Sequence, residues 1–429
     1  MEQYATILTI AMPIFLLAVL SEKLYGWLRF CHHFKNMDMI SSLSSGFTNT
    51  LKDALGLGIS IITYAWMVEH WAIFEIKSTV WVWLIAFITL DLAGYLGHLL
   101  NHKINILWNR HLIHHSSEEF NLACALRQSI SGIINLFTIF LIPAAIVGVP
   151  AVVIAVLAPI HLFAQFWYHT VYIGRMGFWE KFLVTPSHHR VHHAINPIYI
   201  DKNHGQILII WDKIFGTFQE ELPEVPPVYG ITRPVSTWNP IKINWGHLWL
   251  LAQDAWRTRS WYDKARIWFM PTGWRPADVV ERYPIKKIDD VYNFEKYAPS
   301  ASSWLIAWTW TQFTFTFFLI FTLFSNLMQI GLPNAVLYGG FISLGIYAYT
   351  ELMDRSPHAW LWETAKNFLS LGILYYLGSW FGVPSSGDWI SYVVGSYFVI
   401  ATVVTVAFTV WDIKKKPARE PQRVVEYVV

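Results

Sequence analysis

Nine stretches of this chain are apolar enough to be read as membrane-crossing helices: residues 5–20, 54–68, 79–100, 130–147, 149–166, 303–324, 335–350, 368–381 and 389–411. A helix needs roughly 17 to 25 mostly apolar residues to cross the hydrocarbon core, so several of these are short for the task. The pattern predicts an all-α, polytopic membrane protein. The first stretch contains Pro13, has no basic residue before it, and runs into Ser21, Glu22 and Lys23 without a small-residue cleavage pattern. It reads as a retained anchor rather than a removed signal.

The polar positions between these stretches set the expected orientation, because short loops rich in Lys and Arg stay in the cytoplasm. Lys23, Arg29, Lys35 and Lys52 follow the first stretch, Lys103, Arg110 and Arg127 the third, and a long basic segment from Arg175 to Lys296 the fifth. Arg355 and Lys366 follow the seventh and Lys414, Lys415 and Lys416 the ninth, while the loops after the fourth, sixth and eighth carry almost no charge. Nine crossings with the tail inside satisfy this alternation. The expected setting is a multi-pass protein of a bacterial inner membrane or the endoplasmic reticulum.

Composition agrees: 54% of residues are hydrophobic and 14% charged, against about 25% charged in soluble domains. A net charge of +2 gives no footprint for nucleic acid. Cys31 and Cys124 are too few for a disulfide framework or a cysteine metal site. Four segments separate along the chain: N-terminal membrane helices (1–78), a histidine-rich catalytic region (79–220), an interfacial or cytoplasmic linker region (221–300), and a C-terminal four-helix membrane region with its tail (301–429). In the third, residues 245–268 alternate aromatic and charged side chains, as an interfacial helix does.

Twelve of the 17 histidines fall between His98 and His204. They come as His98 and His102; as His111, His114 and His115; and as His189, His192 and His193, with His188 beside them. Side chains at i, i+3 and i+4 share a helix face, so each set aims two or three imidazoles at one point. His169, with Gln165 and His161 before it on one stripe, is a ninth candidate at the end of the fifth stretch. The first pair ends the third stretch, which puts the site at the cytoplasmic surface of the bilayer.

One histidine in a membrane protein is ordinarily a packing or anchoring residue. Eight bundled imidazoles without a metal would repel on protonation and gain nothing in packing. They are also too many for one ion, so two metals are expected. Imidazole suits zinc, copper, iron and nickel alike. A membrane-surface site without a serine nucleophile motif or a supply of carboxylates favours irons that activate dioxygen over zinc that activates water. Asp91, two helical turns before His98, is expected either to accept the second ring proton of a ligand imidazole or to pair with Arg110, Arg127 or Arg190. Glu118 and Glu119 are further candidates for orienting a ligand imidazole, though two adjacent acids after a polar run are ordinarily a solvated face.

These three clusters, in this order and spacing, resemble the fatty acid hydroxylase superfamily, which includes sterol desaturases, sphingolipid hydroxylases and alkylglycerol monooxygenases. The longer strings around them are similar to the alkylglycerol monooxygenase branch: HHSSEEFNLACALRQS from His114, QFWYHT from Gln165, TPSHHRVHHAINPIYIDKNHG from Thr185 and IIWDKIFGTFQEE from Ile209. The resemblance implies a di-iron centre on His98, His102, His111, His114, His115, His189, His192 and His193. It implies hydroxylation of the carbon beside an ether oxygen, using dioxygen and tetrahydrobiopterin, with release of a fatty aldehyde and a glycerol derivative. Two positions depart from the branch: Lys103 stands where a glutamate follows the second histidine, and His204 where a tyrosine is usual. The first reverses the charge beside a ligand and bears on the pterin. No heme or flavin segment is evident, so electrons are expected from an external donor or a small reductant. The competing readings are a sterol or fatty acyl hydroxylase or desaturase with a protein electron donor, and a non-catalytic metal-handling membrane protein or inactive relative.

Overall fold

The computed structural model describes residues 2–30, 34–60, 62–77, 79–135, 137–383 and 389–412. Cys31 and the basic tail Lys414–Lys416, both invoked above, lie outside them. The regular elements among the described residues are helices apart from one pair of two-residue parallel strands, Ile59–Ser60 and Ile134–Asn135. Four of the described helices are long and apolar enough to cross a membrane: Thr6–Leu28, Val80–Lys103, Ser303–Ser325 and Trp389–Trp411. The chain is an integral membrane protein.

Three of the nine expected crossings are not single long helices. Residues 54–68 are broken, with a helix ending at Ala54, positive φ at Gly56, and a new eight-residue helix only at Tyr64–Trp71. Residues 130–166 form two short pieces, Phe137–Val147 and Ala151–Phe163, separated by Gly148 at φ 89° and Pro150. At 1.5 Å per residue, 13 residues reach roughly 20 Å, short of a core of about 30 Å. A Cβ at Gly148 would lie 1.9 Å from the Phe74 carbonyl oxygen, so glycine is required at this turn.

The chain divides into two compact units. One comprises Met1–Leu57, Ser236–Ile243 and Asn293–Val429. Its helix Asn36–Ala54, read from sequence as a loop, buries Met39, Ile40, Leu43, Phe47 and Leu51, a spacing of three and four that marks one helical face. Phe47 stacks on Phe313 at 4.9 Å. The interleaved serines disguise the face. Ser42 and Ser44 each return their hydroxyl to the carbonyl four residues back, and Ser44 also meets the Tyr349 hydroxyl. In the same unit, the buried Lys366 ammonium donates to Glu363 at 2.7 Å.

The other unit comprises Gly58–Val235 and Asn244–Tyr292. Its long helix Val80–Lys103 ends at Ile104, which is extended, and helix Asn105–His115 starts immediately. The Asn105 side chain fixes this corner by donating to the carbonyls of Ile267 and Trp274 and accepting from the Gly273 amide. The aromatic and charged stretch is two helices, because helix Pro240–Arg257 ends and Ser260 caps Trp261–Arg266 by accepting from the Asp263 amide. Trp249, Trp256 and Trp261 are exposed along it, as side chains of the headgroup zone are.

Candidate metal centre

The corner at Ile104 folds helix Asn105–His115 back beside the end of Val80–Lys103, and a short helix, Pro186–His192, supplies the third face. All nine sequence-predicted histidines converge, in two groups. His98, His102, His111, His115 and His192 form one, and His114, His169, His189 and His193 the other. Within each group the nearest ligand-capable atoms lie within 4.8 Å of one another. The rings of His115 and His193 connect the two groups, stacked with centroids 4.3 Å apart.

Oxygen acceptors at Nδ1 favour one tautomer for five rings, although the Gln206 amide nitrogen also lies 3.0 Å from His98 Nδ1. A carbonyl or carboxylate oxygen only accepts, so Nδ1–H donates from His98 to His204 O at 2.8 Å, from His192 to Lys202 O at 2.9 Å and from His102 to Asp201 Oδ1 at 3.3 Å. In the second group it donates from His169 to Gln165 O at 3.1 Å and from His114 to Arg127 O at 3.3 Å. The Nε2 atom of each of these neutral rings therefore carries a bare lone pair. His114 and His169 bring two such atoms to 3.3 Å, a repulsive arrangement unless a cation lies between them. His192 Nε2 is buried with no hydrogen-bond partner. Contacts between Nε2 atoms within the groups run from 2.8 to 3.3 Å. Neighbouring donors on an ion with metal–nitrogen bonds of about 2.1 Å sit roughly 3 Å apart, so the donor set fits metal ions.

Burial holds His111, His114, His115, His189, His192 and His193 well below the ordinary imidazole value, and adjacent imidazoles push the same way. Burial lowers His169 to about 3. The unfolded chain binds these protons near pH 6.5 while the folded chain does not. The stability of metal-free protein is therefore complete above about pH 6.5 and falls as pH drops toward the folded-state values. The slope reaches up to about 1.4 kcal/mol per pH unit for each histidine. Metal-stripped protein is expected to melt at a markedly lower temperature at pH 5 than at pH 7. An unchanged melting temperature would contradict this.

Asp91 lands on a different imidazole from those expected. It is fully buried and accepts from His161 Nε2 at 2.7 Å, the Ile207 and Leu208 amides at 2.9 and 3.2 Å, and Trp211 Nε1 at 2.8 Å. His161 belongs to neither group. Two of the three arginines proposed for Asp91 have other partners: Arg190 pairs with Glu221 at 2.7 Å and Arg127 donates to Ser116 at 2.8 Å. Lys103 turns to Asp201 at 2.7 Å, and the same carboxylate holds His102, so the reversed charge at this position is answered locally.

Sequence reasoning missed three supports in the loop after the third cluster. Asp201 holds His102. Asp212 accepts from the His204 and Gly205 amides at 2.7 Å and shapes the loop that presents the His204 carbonyl to His98. The His204 ring lies 4.8 Å from the His102 ring and donates through Nε2 to Asp201 O, which leaves Nδ1 buried without a partner. The signal was in two strings, the one from Thr185, which holds Asp201 and His204, and the one from Ile209, which holds Asp212.

Residues 83–217 match the fatty acid hydroxylase family model, a span that contains all nine histidines. The chain is 35% identical to the human alkylglycerol monooxygenase over 86% of its length and 82% of that protein, and 32% identical to the Xenopus tropicalis one over 84% and 80%. An ornithine lipid hydroxylase of Rhizobium tropici is 31% identical over a third of this chain and 43% of its own. No solved structure matches significantly. The histidine-rich centre and its surrounding helices thus lie in a fatty acid hydroxylase domain. Within that class the chain belongs to the alkylglycerol monooxygenase family.

Proposed function

We propose that this chain is a di-iron membrane monooxygenase that cleaves glyceryl ether lipids, with its site facing the cytoplasm of a bacterial inner membrane or the endoplasmic reticulum. The observation that carries the reading is the pair of adjoining nitrogen groups, five and four histidines, within a chain that matches alkylglycerol monooxygenases along most of its length. One atom of dioxygen enters the C–H bond beside the ether oxygen and the other leaves as water, with two electrons and two protons from an external donor. The resulting hemiacetal separates into a fatty aldehyde and a glycerol bearing the freed hydroxyl.

Iron, when bound, supplies the activation of dioxygen. The chain's own part is to hold the ions and keep the site dry. His98, His102, His111, His115 and His192 would hold one iron and His114, His169, His189 and His193 the other. Carbonyls of Arg127, Gln165, Lys202 and His204 lock their rings in the Nε2-presenting tautomer. The Phe120 ring stands 5.3 Å from His193 and 5.8 Å from His169, covering the second group with an apolar face.

The deciding experiment is elemental analysis of anaerobically purified protein, followed by product analysis on alkylglycerols with a tetrahydropterin or a protein electron donor. Two irons per chain and fatty aldehyde from the ether lipid are expected. Iron with oxidised sterol or acyl chain and no aldehyde would move the function to the sterol or acyl hydroxylases; zinc, or no metal in folded and iron-reconstituted protein, would overturn the oxygenase reading. Asp201→Asn removes the charge behind His102 and is expected to weaken iron retention about 10- to 100-fold. Chelator competition measures this without turnover, and wild-type retention would show that Asp201 serves only Lys103.

A further inference from the structure

A cavity of about 290 Å³ opens beside the histidine groups, with His102, His115 and His192 of the first and His193 of the second in its lining. This is near the lower limit of small-molecule pockets, about 300 Å³. Cationic and hydroxyl groups collect elsewhere on its lining: Arg233, Arg275, Lys287 and Thr272. Arg275 is spoken for, with Nε and Nη2 on Asp254 at 2.5 and 2.9 Å and Nη1 on the Tyr283 carbonyl. The one carboxylate on the lining, Asp201, is held by Lys103 and His102.

Two cations are left. Among the described residues neither Arg233 nor Lys287 makes a hydrogen bond or ion pair, and the Thr272 hydroxyl is buried without a partner. Arg233 lies near enough to feel both Arg275 and Asp254, the carboxylate that Arg275 holds with two hydrogen bonds. One carboxylate shared by two arginines leaves an excess positive charge on a half-buried guanidinium, a cost that an anion in the cavity removes. Two unpartnered cations and an unpartnered hydroxyl donor lining one cavity match the oxygens of a phosphate group.

We propose that Arg233, Lys287 and Thr272 form a phosphate subsite, and that it takes the headgroup phosphate of an ether lipid whose alkoxy carbon reaches the metal centre. The inference rests on the ether-lipid reading for the identity of the tether, and on the cavity alone for the anion. The phosphate of a glycerol ether lies a few bonds from the carbon to be oxidised. One cavity running from imidazoles to cations therefore accommodates both ends of the headgroup, whereas a free anion would have no need of the metal end.

The test is binding to the iron-loaded full chain in detergent, followed by tryptophan fluorescence, with three probes: a 1-O-alkylglycerol, the same lipid bearing a 3-phosphate, and inorganic phosphate. The phosphate-bearing lipid is expected to bind about tenfold or more tighter than its neutral counterpart. In Arg233→Gln that ratio is expected to fall to near one. Lys287→Gln, at an exposed position that leaves the fold alone, is expected to reduce it. Equal binding of the two lipids, or a preference that survives both substitutions, overturns the subsite. Inorganic phosphate binding as tightly as the phosphate-bearing lipid overturns the headgroup assignment and leaves a free-anion site. No probe requires turnover, so a preference in protein that oxidises no ether lipid would sink the proposed function and spare the subsite.

Discussion

His189→Ala is expected to lower iron content to one ion per chain or fewer and to abolish lipid oxidation, a loss of about a thousandfold or more. The magnitude follows from the several kcal/mol that a metal contributes to a transition state. His189 is central to the four-nitrogen group, its Nε2 lying 2.8 Å from that of His169 and 3.0 Å from that of His193. Without it three imidazoles remain, and in a buried place no side chain can substitute. The neighbour His188 supplies the contrast. It belongs to neither group and donates through Nδ1 to the Leu183 carbonyl at 3.2 Å, so His188→Ala is expected to keep both ions. Iron analysis of the two variants side by side separates loss of a ligand from disturbance of the helix that carries both residues. Equal iron in both would sink the assignment of His189.

That contrast also shows what was legible in advance. Spacing sets three imidazoles, His189, His192 and His193, at i, i+3 and i+4, whereas His188 finds only His192 at that spacing, and such spacings survive any uncertainty in helix ends. His169 was found by its place at the end of an apolar run, although the helix beneath it, Ala151–Phe163, stops before reaching it. The partition of nine nitrogens into five and four was not legible. It depends on the bend at Ile104 and on the tertiary hydrogen bonds of Asn105, neither of which has a periodic signature. The apolar runs were harder to read for a related reason. Mean hydropathy does not register that the helices within 130–166 are short and parted at Gly148, and it passes over helix Asn36–Ala54, whose serines lower the average while Ser42 and Ser44 bond carbonyls of their own helix. Asp91 was recognised as costly where it stands, but its partners come from residues far along the chain, 161 and 207–211, and no local pattern announces them.

Those distant partners make Asp91→Ala the largest expected effect on stability. The carboxylate is wholly buried in helix Val80–Lys103 and satisfies four donors, His161 Nε2, the Ile207 and Leu208 amides and Trp211 Nε1. Removing one side of a buried charged cluster costs about 3–5 kcal/mol, because the donors left behind stay desolvated. Many proteins have only 5–15 kcal/mol in total. The damage also has a direction. Asp91 ties the segment from Ile207 to Trp211 to the helix that carries His98, and the His204 carbonyl just before that segment holds the His98 ring at 2.8 Å. A loosened segment frees that ring to rotate, so iron loss should accompany the fall in melting temperature. Asp91→Asn keeps an acceptor oxygen but sets an amide N–H₂ against donors, and should lie between wild type and alanine on both measures. If Asp91→Ala melts within a degree or two of wild type, the four contacts are incidental. If it melts early yet keeps both irons, Asp91 supports the fold without positioning His98.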